Sequence, residues 1–160
     1  GAVSYNIFRS TKPGSGYTSI GETRTTGFVD KKTTASKTYY YKVLAKAQDP
    51  AYNSAISTTY AKVKVLARPN VKVKSAKGRK ITVFWKKIKG ASGYRVYTST
   101  KKNKGFKAVK TLKKAKLVKT TIRAKKNVKT LYVKVRPYYM ENKKRVEGAF
   151  SRTIRVKVKK

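Results

Sequence analysis

The sequence predicts an all-β chain built as two tandem antiparallel β-sandwiches, the first lacking its two N-terminal strands. Three observations carry that prediction. Apolar and polar residues alternate with a period of two in one segment after another, the spacing at which successive strand side chains point to opposite faces. Turn residues separate the segments at roughly ten-residue intervals, as antiparallel sandwiches and barrels require. The opening of the chain also recurs in order about 90 residues later, a period too long for a solenoid and right for tandem sandwich domains.

In chain order, the first segment is Ser4-Tyr5-Asn6-Ile7-Phe8, which ends before the turn cluster Pro13-Gly14-Ser15-Gly16. Tyr17 and Ile20 follow, then Thr38-Tyr39-Tyr40-Tyr41-Lys42-Val43 and Lys62-Val63-Lys64-Val65. The second set opens on Val71-Lys72-Val73-Lys74 and Ile81-Thr82-Val83-Phe84-Trp85, with Lys77-Gly78 as the turn between them. Lys89-Gly90 leads into Gly93-Tyr94-Arg95-Val96-Tyr97, and Lys102-Asn103-Lys104-Gly105 leads out of it. Val133-Lys134-Val135-Arg136 and Ile154-Arg155-Val156-Lys157-Val158 close the set, with the turn pair Glu141-Asn142 between them. Val, Ile, Thr and Tyr dominate these runs, as half-buried strands prefer. Segment 110–129 comes nearest to a helix, but Thr111, Thr120, Thr121 and Asn127 weaken one there.

The repeat is visible residue by residue. Residues 1–11 align with 90–100, and five of the eleven pairs are identical. Gly16-Tyr17 aligns with Gly105-Phe106, and Ile20 with Val109. Thr38–Val43 aligns with Thr130–Val135, and both copies end on the same phrase, Lys62–Val65 and Arg155–Val158. The domain boundaries that follow are 1–68 and 69–160.

These phrases resemble the fibronectin type III family, and more narrowly its Lys-rich tandem modules in secreted surface proteins of Gram-positive bacteria. The resemblance rests on Trp85 preceded by Ile81 and Val83, on Tyr94 and its counterpart Tyr5, and on Tyr39-x-Tyr41-x-Val43-x-Ala45. It implies an immunoglobulin-like sandwich with Trp85 inside, and it says little about function. Two departures stand out. Leu131 takes the place of Tyr39 in the second copy, so the tyrosine corner is expected in the first module only. Residues 69–89, with two strands and Trp85, have no counterpart ahead of Gly1. The first sheet is therefore expected to show an unpaired edge near Tyr5 and Ile7 and an uncovered core. A piece of a longer protein explains this most simply; a strand lent by another molecule and a rearranged fold are the alternatives.

Composition narrows the chemistry. The 160 residues include no Cys and no His. Disulfide scaffolds, thiol nucleophiles, zinc fingers, Ser-His-Asp triads and His-ligated metals are thereby excluded. The five acidic residues are scattered, which disfavours acid–base catalysis and calcium binding. Glu141 and Glu147 are expected to form salt bridges, and Asp30 and Asp49 to be turn residues. No apolar run reaches the roughly 18 residues of a membrane helix, so no membrane insertion is expected. Nor is a cofactor.

Charge is the remaining signal. The formal net charge is +38. Residues 1–68 hold 11 basic and 3 acidic side chains, and residues 69–160 hold 32 and 2. Solubility needs only about 2–8 net charges per small domain. Lysines on the outward phase of strands are ordinarily a solvated face that blunts sheet edges, but that does not explain so few acids. The densest runs, Lys101, Lys102, Lys104 and Lys107 with Lys113, Lys114, Lys116 and Lys119, are the candidate polyanion-binding residues. Lys far outnumbers Arg, which favours sequence-blind attraction over dedicated nucleic-acid reading. The function expected is a non-catalytic extracellular spacer or adhesion module of a larger surface protein. Its partners would be anionic wall polymers or other polyanions, and other domains of the same protein. The alternative is an accessory module of a secreted glycan- or wall-degrading enzyme. An aromatic platform on an outer face would favour that alternative.

Overall fold

Twelve strands, all paired antiparallel, make up the regular structure of residues 1–160 in the computed structural model, apart from a 3-10 turn at Pro50–Tyr52. The chain divides into two units, Gly1–Val65 and Leu66–Lys160. The all-β, antiparallel prediction is therefore met.

Unit 1 is a single sheet. Its strands are β1 (Ser4–Ser10), β2 (Thr18–Thr23), β3 (Thr38–Lys46) and β4 (Ala61–Lys64), in the order β2-β1-β3-β4. Unit 2 has two sheets. β5 (Lys72–Ala76), β6 (Lys80–Phe84) and β9 (Lys119–Arg123) form one, in the order β5-β6-β9. The other is formed by β7 (Gly93–Ser99), β8 (Lys107–Leu112), β10 (Thr130–Glu141), β11 (Lys144–Glu147) and β12 (Ile154–Lys157). Its order is β11-β10-β7-β8, and β12 also pairs with β10.

The core of unit 2 lies between these sheets. Period-two alternation puts Ile81 and Val83 of β6, Tyr94 and Val96 of β7, and Val133 and Val135 of β10 on the inner faces, where all six are fully buried. Trp85 is 5% exposed, and its ring meets the Tyr94 ring edge-on at 5.1 Å. All seven lie in one core, with Trp85 inside it as the resemblance implies. Such aromatic pairs add about 0.5–1.5 kcal/mol beyond the area they bury.

The repeat extends to single hydrogen bonds. Ser10 Oγ donates to Ser15 O at 2.6 Å and accepts from the Lys12 amide, and Ser99 Oγ does the same with Lys104 O and the Lys101 amide. The next glycine in each copy, Gly16 or Gly105, takes a positive φ near 70° beside that hydroxyl, a conformation glycine adopts without steric cost. The pairing of β1 with β2 slips between Ile7 and Phe8, and that of β7 with β8 slips between Val96 and Tyr97. Ser57 and Ser151 bracket Val43 and Val135 with the same pair of bonds to the backbone.

The tyrosine corner is where it was expected. The Tyr39 hydroxyl accepts from the Thr34 amide at 2.9 Å, and Leu131 at the matching place in unit 2 is buried apolar core.

Two expectations about the missing strands need correction. β1 is not an edge, because it pairs with β2 on one side and β3 on the other. The residues without counterparts correspond to β5 and β6, which belong to the opposite sheet, so the ladders of the β2-β1-β3-β4 sheet do not depend on them. The deficit also exceeds two strands. β9 hydrogen-bonds to β6, and with no β6 equivalent the matching stretch, residues 24–37, forms no strand. Val135 is fully buried, whereas Val43, its equivalent, is 38% exposed.

Trp85→Ala should destabilise unit 2 by about 3–5 kcal/mol, through lost burial and the cavity left behind. Urea unfolding followed by hydrogen exchange of β6, β7 and β10 checks this. A loss under about 1 kcal/mol would mean that the indole does not carry the core.

Candidate polyanion surface

The eight candidate lysines are all exposed. None is paired with a carboxylate. They do not form one patch. Lys101, Lys102 and Lys104 lie in the connection between β7 and β8, and Lys107 opens β8. Lys113, Lys114 and Lys116 lie in the connection between β8 and β9, and Lys119 opens β9. The two groups therefore sit at opposite ends of β8. Six residues of strand place them about 20 Å apart. That exceeds the Debye length of about 8 Å at physiological salt, so each group acts as a separate cationic site.

The first group has neighbours that linear spacing does not reveal. β8 and β9 are the free edges of the two opposed sheets. A cleft of about 380 Å³ opens between them, with Lys107, Arg123 and Lys125 at its rim and Val109, Ile122 and Leu131 among its apolar lining. Arg123 and Lys125 were not among the candidates. They are 16 or more residues beyond Lys107 in sequence and come near it only because the sandwich closes. The signal for them was the edge position of both strands, where cations blunt unpaired ladders.

The outer face of the larger sheet holds aromatic rings, but cations lie over them. Lys134 Nζ stands 4.2 Å from the Phe106 ring centre, Arg136 4.5 Å from that of Phe150, and Arg95 5.1 Å from that of Tyr97. Tyr97 and Phe150 pack edge to face at 5.0 Å. Glu147 closes the row by pairing with Arg95 at 2.7 Å and Arg136 at 2.9 Å. The salt-bridge role expected of Glu147 is met, and its hydrogen bond raises the Arg95 pKa further above its ordinary value. Each contact of a cation with a ring contributes about 0.5–2 kcal/mol. These rings present no open platform.

The acids of unit 1 are structural. Asp49 caps the 3-10 turn by accepting from the Ala51 amide, as a turn residue should. Asp30 does more than turn the chain. It accepts from Arg9 Nη1 at 2.9 Å, from the Tyr41 hydroxyl at 2.9 Å and from the Lys32 amide at 2.9 Å, which pins residues 24–37 onto β1 and β3. Burial pushes the Asp30 carboxyl upward, but the Lys32 amide, Arg9 and Tyr41 together outweigh it, so its pKa lies below the ordinary value. Burial, then the bond to Asp30, pushes the Tyr41 hydroxyl up. No group of three or more Asp and Glu side chains comes together where a metal could be held.

No family model matches the chain, and no curated protein does. Solved structures do. The FN1–FN3 domains of chicken CNTN1 match all of this chain at 18% identity with a TM-score of 0.50. This chain spans 58% of the length of that structure. A chicken interferon gamma receptor alpha chain, at 12% identity, and a two-domain fibronectin type III segment from chicken tenascin, at 16%, each match 97% of this chain and are covered over 84% of their own length, both with TM-scores of 0.49. The chain has a fibronectin type III-like fold.

Asp30 binds its proton less readily in the folded state than in the unfolded chain. Its contribution to unit 1 is therefore complete above the unfolded carboxyl pKa of about 3.9 and fades as pH falls through the lower folded value. Hydrogen exchange of β1 and β3 amides should show this acid-side loss. Asp30→Asn should lower protection at neutral pH and flatten the profile below pH 4. An unchanged profile would remove Asp30 from the account of unit 1 stability.

Proposed function

We propose that the chain is a non-catalytic extracellular spacer and adhesion segment of a larger surface protein, which holds anionic wall polymers or other polyanions through a sequence-blind cationic surface. The observation that carries this reading is the near one-sign surface: +38 over 160 residues, with eight exposed, unpaired lysines in two groups. Ammonium groups on flexible stems attract phosphates and carboxylates as point charges, without the planar fork that Arg uses to read a shape. The fold supports a mechanical role, because antiparallel sheets present side chains at fixed spacing along their strands and need no catalytic centre. The Gram-positive, cell-surface setting belongs to the same proposal. It rests on the Lys-rich phrasing of the sequence, since a cation-coated module suits a habitat of fixed negative charge. The accessory-module alternative needs an open aromatic platform, and on the outer face of the larger sheet Phe106, Phe150 and Tyr97 lie under Lys134, Arg136 and Arg95.

Binding to heparin, teichoic acid and duplex DNA should be comparable, and log affinity should fall linearly with log salt, because counterion release drives it. Unit 2 alone should keep most of the affinity. Neutralising Lys101, Lys102 and Lys104 to Gln should lower the salt slope on DNA by about 2–3. The same change at Lys113, Lys114 and Lys116 should do likewise, and the two effects should add. Titration by fluorescence anisotropy over a salt series reads both. Tight, salt-insensitive binding to one glycan would overturn the proposal.

A further inference from the structure

The cleft between the free edges of β8 and β9 is the strongest unassigned feature of the molecule. Its apolar wall runs on from the core of unit 2. Ala124 and Leu131 belong to that core, and Ile122 and Val128 pack against it. Val109 completes the wall from the β8 side. The pairing of β7 with β8 matches Val96 to Lys110 and Tyr97 to Ala108, so Val109 is the extra residue of a β-bulge. A bulge re-aims a side chain and interrupts the ladder. Val109 is 46% exposed, so the cleft presents apolar surface to water.

Unit 1 indicates why the space exists. At the place of Leu131 it has Tyr39, which is 4% exposed and whose hydroxyl accepts from the Thr34 amide, five residues earlier. A leucine is shorter than a tyrosine and has no hydroxyl to anchor the loop before it. The matching corner of unit 2 is therefore left open beside Ala124, Lys125 and Val128.

The rim has the opposite character. Lys107, Arg123 and Lys125 stand at the opening, all three exposed and none paired with a carboxylate. An apolar slot under three unmatched cations fits a ligand that is apolar along its length and anionic at one end. At about 380 Å³ the cleft has the size of a small-ligand pocket, commonly about 300–1,000 Å³. The bulge and the cations disfavour a peptide strand added to β8, because both blunt a sheet edge.

We infer that this cleft binds one linear alkyl chain with a carboxylate head, a free fatty acid anion. The tail lies against Val109, Ile122, Val128 and Leu131. The carboxylate stays at the rim, where Arg123 offers a planar fork and Lys107 and Lys125 add point charges. Burial of the tail and not counterion release is the main driving term, so this site stands whether or not the lysine groups hold polymers.

Dodecanoate is the probe, added below its micelle-forming concentration to the full chain labelled at Ile, Leu and Val methyls. The methyl resonances of Val109, Ile122, Val128 and Leu131 should shift together and follow one saturation curve. Affinity should fall about fourfold for each methylene removed from the probe, and it should survive a salt concentration that releases heparin. Dodecyltrimethylammonium, with the same tail and a cationic head, should leave these methyls unmoved. Arg123→Gln should weaken dodecanoate about two- to fivefold, as an exposed ion pair does. Leu131→Tyr should close the corner and abolish binding. Val109→Asp, at an exposed position outside the core, should abolish it as well, by setting a carboxylate against the tail. Neutralising Lys113, Lys114 and Lys116 to Gln should change nothing. Unmoved methyls with dodecanoate overturn the inference, as do equal shifts with the cationic probe or binding that survives Val109→Asp. Loss of dodecanoate binding on neutralising Lys113, Lys114 and Lys116 also overturns it, because loop lysines would then be reading the head alone.

Discussion

A β-sheet with one apolar face is stable only when something dry lies against that face, and this constraint organises the whole chain. In unit 2 the β5-β6-β9 sheet satisfies it, and Ile81, Val83 and Trp85 lose essentially all contact with water. In unit 1 nearly the same sheet is built from nearly the same phrases, with the same serine pins and the same slip in its first hairpin. Only the cover is different. Burying a valine side chain is worth about 1.5–3 kcal/mol, so the difference between a buried Val135 and a partly exposed Val43 is a large one on the scale of a small domain's stability. Residues 24–37 fold over part of that face in unit 1, and the half-buried Asp30 carboxylate fixes them there through Arg9, Tyr41 and the Lys32 amide.

Much of this was legible in the sequence because strand periodicity and repetition are local signals. Alternation placed Tyr94, Val96, Val133 and Val135 on one face, and the repeat placed the matching residues of unit 1. The replacement of Tyr39 by Leu131 announced which corner would keep its hydroxyl bond. The errors came where a property depended on partners far away in sequence. The absence of two strands could be read as a broken ladder or as a bare face, and only the sheet order decides between them. That β9 depends on β6 for its ladder is likewise invisible until the pairing is known. Asp30 resembled any turn aspartate, because Arg9 and Tyr41 are 21 and 11 residues away.

The cationic surface shows the same division. The two lysine runs stand out by composition, but their separation by the length of β8 is a matter of topology, as is the approach of Arg123 and Lys125 to Lys107. Not every cation is equally available. Lys134, Arg95 and Arg136 are engaged with aromatic rings or Glu147, whereas the loop lysines carry no such ties. Formal charge therefore overstates the positive potential of the sheet face and understates the contrast between that face and the loop ends.

On the polyanion reading proposed above, the placement of cations at both ends of one strand bears on the length of the molecule that would be held. A short anionic oligomer reaches only one end of β8, while a chain longer than about 20 Å can engage both, the second contact being intramolecular and so made at a high effective concentration. Apparent affinity then climbs in a step at the length that spans the strand. On the same reading, two short anionic chains would each take one end of β8, and one module would then crosslink an anionic mesh.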